Sequence, residues 1–210
     1  MKLLTYYLLL ITYLSASTLN LSMSSSPSRL NPILANDSAS SEISDWLFNG
    51  LFKYDKNGNH TVDLAQSYEF ETPTKLIIKL RNNVLWHDGV KFTSKDVVFT
   101  YEKIIDPKVF NSIKSNFQEV QNVKAIDDFT LEIIYKQPYF KAIETWMVGI
   151  LPYHLLKDEE NLMTSSFNKN PIGTGSYKLK EFKTAQDIEL IANENYFEGT
   201  PKIEKILYKF

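Results

Sequence analysis

Three histidines, His60, His87 and His154, are the first candidates for acid–base or metal chemistry. None falls in a predicted helix with another His, Asp or Glu three or four residues away, so metal-ligand spacing is missing. His87 sits in a Trp-His-Asp-Gly turn and reads as a turn-stabilising side chain rather than a ligand or a base. Asp127 and Asp128 are adjacent carboxylates, but neighbours at a hairpin turn point apart, and a solvated Asx-type turn is the simpler reading. Gly173-Thr174-Gly175 lacks the Gly-Lys-Ser/Thr ending of a phosphate loop, and a strand pattern rather than a helix follows it. It reads as a backbone turn in which two glycines permit close approach. The serines between Ser22 and Ser44 lie in no Gly-x-Ser-x-Gly elbow. The chain has no cysteine, which excludes a thiol catalyst, a Cys-ligated zinc site, a disulfide scaffold and a lipid-anchored N-terminal cysteine. The expectation is a protein that is not an enzyme, with no catalytic residue, no metal site and no cofactor.

That leaves noncovalent binding, for which aromatic side chains are the natural candidates. The chain holds 12 Tyr, 13 Phe and 3 Trp. Trp46 and Trp86 recur at core spacings. Trp146 precedes Met147-Val148-Gly149 at the end of a short helical pattern, and is the aromatic expected to line a ligand cleft. Lysines are spread singly beside acids, and 23 basic against 25 acidic residues give a net charge of −2. That balance leaves no electrostatic footprint for nucleic acid. Hydrophobic residues make up 43% of the 210, too many for a disordered chain, and the length allows one domain or two small ones.

The elements that must position these residues are short and mixed. Thr18 to Met23 alternates as a half-buried strand, and a Ser/Pro loop follows. A helical face of Ile43, Trp46, Leu47 and Leu51 begins at Ser41, and Tyr54 to Asn59 is turn chemistry. Leu76, Ile78 and Leu80 alternate with Lys79 and Arg81, and Val84 to Trp86 after Asn82-Asn83 is expected to pair with them as a hairpin. Thr93 and Asp96 resemble a capping box for a helix carrying Val97, Val98, Tyr101, Ile104 and Ile105, stopped at Asp106-Pro107. Val123–Ile126 and Thr130–Tyr135 read as strands, Pro138–Trp146 as a short helix, Tyr177–Phe182 and Ile188–Ala192 as a hairpin, and Ile203–Phe210 as a last strand. The pattern is α+β.

At the N-terminus, Lys2 precedes a dozen mostly apolar residues, Leu3 to Leu14, and then Ser15-Ala16-Ser17. The run is short of the roughly 20 residues of a membrane span and fits a cleavable secretory signal over residues 1–17. The expectation is export to the periplasm, with no lipid anchor and no membrane insertion after cleavage.

Longer stretches carry a resemblance. WHDGVKFTSKDVVFTYEKIIDP (86–107) is similar to the dipeptide- and oligopeptide-type, family 5, solute-binding proteins of bacterial ABC importers. So, in the family's order, are LNPILANDSASSEISDWLFNGLFKYD (30–55), DLAQSYEF (63–70), KLIIKLRNNVLWHDG (75–89), KAIDDFTLEI (124–133), ILPYHLL (150–156), NPIGTGSYKL (170–179) and ANENYFEGTPKIEKILY (192–208). Ser176 stands where the family usually has proline. The resemblance implies a mixed α/β, periplasmic-binding-protein-like fold of class II, here an incomplete lobe I with lobe II absent. Its implied organisation is a core of 18–39 plus 172–210 around an inserted subdomain of about 40–171. It also implies a monomer that binds di- or oligopeptides and hands them to an ABC importer membrane permease. The segment after Leu-Asn-Pro runs extended beside the ligand in that family, which maps ligand-binding backbone to Asn36, Asp37 and Ser38, in the manner of an added β-strand. Nickel-chelate, oligosaccharide or opine cargo within the family, and a non-binding gene fragment, are the alternatives.

Overall fold

In a computed structural model the described residues are 17–210. The export reading of residues 1–17 falls on 1–16, outside them. Among the described residues no helix is long and apolar enough to cross a membrane.

Among the described residues, two four-stranded sheets, one two-stranded sheet and three α-helices make up the fold. The first sheet has the order β1-β10-β9-β8, from Thr18–Ser22, Lys205–Lys209, Asp187–Ala192 and Tyr177–Lys183. β1 runs parallel to β10, and the other pairs are antiparallel. Period-2 alternation puts Ile188, Leu190, Ile206 and Tyr208 on one buried face. Between β1 and β8 the chain builds α1 (Ser38–Leu47), a hairpin of β2 (Phe52–Tyr54) and β3 (His60–Val62), and the second sheet. That sheet has the order β4-β5-β7-β6, from Ala65–Thr72, Lys75–Leu80, Thr130–Tyr135 and Val120–Asp127, and is antiparallel throughout. Leu76 faces Ile133 and Ile78 faces Leu131 across β5 and β7, all fully buried.

The β5 partner differs from the expectation. β5 pairs with β4 and β7, whereas Val84 to Trp86 forms only an isolated bridge, Leu85 with Lys91. Pro138 to Trp146 is also not a regular helix. It is a series of turns ending in one 3₁₀ turn, Glu144–Met147, with Trp146 at φ −98°, ψ 17°. The Thr145 hydroxyl donates back to the Lys141 carbonyl at 2.9 Å, the local bonding by which Ser and Thr compete with helical pairing.

α2 (Ser94–Ile105) starts where expected: Asp96 accepts from the Thr93 amide at 2.8 Å. The other Asp96 oxygen accepts from the Tyr153 amide at 2.9 Å, which ties α2 to α3 (Tyr153–Leu156). Burial pushes the Asp96 carboxyl above its ordinary value, against those two amide bonds. Asp127 accepts from the Phe129 amide at 2.8 Å, so the β6–β7 link is the Asx turn expected.

Candidate functional site

α1 positions the site. Its N-cap is Asp37, an extended residue (φ −115°, ψ 155°) that accepts from the Ser40 amide at 2.8 Å. The Ser28 and Ser40 hydroxyls both donate to Asp37 Oδ2 at 2.6 Å, and Ser40 Oγ accepts from the Ser28 amide at 3.0 Å. The preceding loop is thereby stapled to the helix start. Burial alone would raise the Asp37 carboxyl, but these bonds hold it below the ordinary carboxylate value. Asn31 is fully buried, bonded to Asn168 at 3.1 Å, and its carbonyl accepts from the amides of Leu34 and Ala35.

This geometry corrects the extended-segment expectation. Residues 31–35 turn back on Asn31, Asp37 caps the helix, and Ser38 is already its first residue. Asn36 and Ser38 are exposed, while Asp37 spends its carboxylate on capping. The segment thus forms a helix start rather than a strand edge. Among the described residues the amides of Ser38 and Ala39 have no acceptor, as the first amides of a helix lack one within it.

A cleft of about 330 Å³ borders α1 from Ser41 onward. Its lining comes from two stretches of chain, 32–50 (Pro32, Ala35, Ser41, Ser44, Asp45, Phe48 and Gly50) and 113–149 (Ile113, Asn116, Phe117, Glu144, Thr145 and Met147 to Gly149). Asn36, Asp37 and Ser38 do not line it; along the chain they fall between two residues that do, Ala35 and Ser41. Asp45 and Glu144 were not legible as site residues, although Ser41, Ser44 and Asp45 share the polar face of α1 at i, i+3 and i+4.

Trp146 is not a wall of that cleft. It is fully buried, its indole donates to the Tyr135 hydroxyl at 2.9 Å, and Phe117 packs edge-on at 5.3 Å. Its neighbours in the chain, Thr145 and Met147, line the cleft instead. Burial holds the Tyr135 phenol far above its ordinary value, against the indole bond, so Tyr135 stays neutral and donates to the Ala142 carbonyl at 2.7 Å.

The histidines lie apart and each has its own partner. His60 meets Glu144 at 3.1 Å and His154 meets Asp88 at 2.8 Å. His87 does more than stabilise its turn. Its Nδ1 accepts from the Gly173 amide at 3.1 Å and its Nε2 faces the Gly175 carbonyl at 3.0 Å, a pairing that requires the neutral Nε2–H tautomer. Burial pushes its pKa down to about 4. The Gly173–Gly175 loop so gripped packs on the end of α1, with the Gly175 amide donating to the Leu47 carbonyl at 2.9 Å. A Cβ on Gly173 would sit 1.7 Å from that carbonyl oxygen, and one on Gly175 would sit 2.2 Å from the Trp46 carbonyl oxygen. Among the described residues no group of three or more His, Cys, Asp or Glu could hold a metal ion.

The profile described as "Bacterial extracellular solute-binding proteins, family 5 Middle" matches residues 60–210. The oligopeptide-binding protein AppA of Bacillus subtilis is 33% identical over 189 residues, covering 87% of this chain and 35% of that protein. A solved AppA structure from that organism, in complex with a nonapeptide, superposes with a TM-score of 0.85 at 31% identity, over 91% of this chain and 39% of that one. NikZ from Campylobacter jejuni in complex with Ni(L-His) gives 0.85 at 36% identity, over 93% and 39%. The chain thus spans about a third of the length of the curated relatives it matches. With the profile covering well over half of its residues, the chain belongs to the family 5 bacterial extracellular solute-binding proteins.

Proposed function

We propose that this chain supplies one wall of the ligand cleft of an ABC importer's solute-binding component, exported to the periplasm. It binds di- or oligopeptides noncovalently and delivers them to the membrane permease. The observation that carries the reading is a cleft bordered by the capped helix α1, in a chain similar to a protein solved with a nonapeptide. The free amides of Ser38 and Ala39 suit a peptide carbonyl or carboxylate. In this reading Asn36, Asp37 and Ser38 act through the shape and amides of the helix start, and Trp146 acts by packing the floor beneath it. The core of 18–39 plus 172–210, with the intervening residues as an inserted subdomain, is the organisation we propose for the monomer.

A second reading, nickel-chelate cargo, draws on the likeness to NikZ. Titration of the ¹⁵N-labelled chain with trialanine and separately with nickel–histidine distinguishes the two. Peptide is expected to shift the amides of Ala35 to Ser41 and Gly149 at millimolar concentration, as one wall alone gives weak binding. Shifts with nickel–histidine but not with peptide would overturn the peptide reading.

A further inference from the structure

The cleft beside α1 carries charge that the protein leaves unbalanced. Two carboxylates, Asp45 and Glu144, line it, and no lysine or arginine does. Glu144 is engaged by His60 at 3.1 Å. Asp45 has neither an ion pair nor a hydrogen bond among the described residues; the groups that act on it are its own surroundings and Glu42, another carboxylate. Lys53 lines an adjoining depression that Asp45 also borders, but it is committed to Asp63 at 3.1 Å and Glu198 at 2.7 Å.

Pro32, Phe48 and Met147 line the same cleft as Asp45, together with the polar Ser41 and Ser44. A cleft that holds apolar side chains and an unpaired carboxylate can take a methylene stem ending in a cation. We propose that the cleft takes a ligand bearing a primary amine or guanidinium, such as the side chain of a lysine- or arginine-containing peptide, with Asp45 as its counter-charge. The proposal rests on the ligand-cleft reading above and adds a charge preference to it. Although Asp45 is exposed, desolvation by the protein around it, and then the Glu42 charge, raise its carboxyl pKa. A carboxylate in that state gains from a cation beside it.

The test is titration of the ¹⁵N-labelled chain with three N-acetylated, C-amidated tripeptides: Ala-Lys-Ala, Ala-Leu-Ala and Ala-Glu-Ala. The amides of Ser41, Ser44 and Gly149 report on the cleft. The lysine peptide is expected to bind about tenfold more tightly than the leucine peptide, a difference of about 1.4 kcal/mol, with the glutamate peptide weakest. Asp45→Asn should shrink that preference to less than about threefold, roughly 0.6 kcal/mol, with an unchanged melting temperature. Equal binding of the three peptides, or an undiminished preference in Asp45→Asn, overturns the charge preference and leaves the cleft standing. No shift with any of the three removes the cleft reading and the preference together.

Discussion

The His87 clasp makes the protein acid-labile by an amount that can be worked out. In the folded chain both ring nitrogens are committed, Nδ1 accepting from the Gly173 amide and Nε2–H donating to the Gly175 carbonyl. Protonation would turn the acceptor into a donor facing a donor. Burial depresses the pKa from the ordinary 6.5 to about 4. The unfolded chain therefore takes up the proton first as pH falls. The stability tied to the neutral ring is whole above 6.5 and is lost as pH drops toward the folded value, for a total of about 3 kcal/mol. Between pH ~7.5 and pH ~5 the loss is about 2 kcal/mol. His87→Gln has no such titration, so the stability gap between wild type and variant, read from urea unfolding, should narrow by about 2 kcal/mol over that interval. A gap that stays constant, or a His87 imidazole that titrates near 6.5 in the folded protein by NMR, would refute the clasp.

Gly173→Ala places a methyl group against the Leu47 backbone carbonyl, which cannot swing aside as a side chain could. It should destabilise by about 3 kcal/mol in urea unfolding, and a loss below about 0.5 kcal/mol would contradict the close packing. Trp146→Ala should cost about 4 kcal/mol by opening a cavity beneath Phe117 and Tyr101; a variant of wild-type stability with altered ligand binding would return Trp146 to the cleft wall. Asp37→Ala removes the α1 cap and the Ser28 and Ser40 bonds together, for about 1–2 kcal/mol. Because its folded pKa is lowered, the Asp37 contribution is present above the unfolded value near 3.8 and disappears as pH falls below it.

The elements that could be read from sequence are those with one buried face. β5 and β7 alternate because Leu76, Ile78, Leu131 and Ile133 all turn inward, and α2 was recognisable from Thr93, Asp96 and the Asp106-Pro107 stop. β4 was invisible for the opposite reason. Only Ala65 is buried in it, and Gln66 to Thr72 are all exposed on a sheet edge, so no alternation marks it. Without β4, Val84 to Trp86 was the nearest apolar run to offer β5 as a partner. The Pro138 to Trp146 stretch has helical spacing of its apolar residues, but Thr145 back-bonding and the Trp146 backbone break it.

The site was legible only in part. Local chemistry marks the segment at residues 36–38, but α1 begins three residues before the apolar pattern that Ser41 opens, because its cap comes from Asp37 and is reinforced by Ser28 nine residues upstream. That shift turns an expected strand edge into a helix start. The cleft joins residues 32–50 to residues 113–149, and the His87 clasp spans 86 residues to Gly173. Such pairings follow from packing, and no periodicity in the chain records them. Trp146 misled for the same reason: its spacing could not reveal that Tyr135 and Phe117 close over it.

The central claim is that ligand lies against the start of α1. Paramagnetic broadening by a spin-labelled lysine tripeptide, recorded on the ¹⁵N-labelled chain, measures that position directly. Broadening concentrated on the amides of Asn36 to Ser41 and Gly149 is the predicted result. Broadening centred instead on the groove that Phe99, Glu102 and Tyr153 form on the outer side of α2, with α1 untouched, would contradict it.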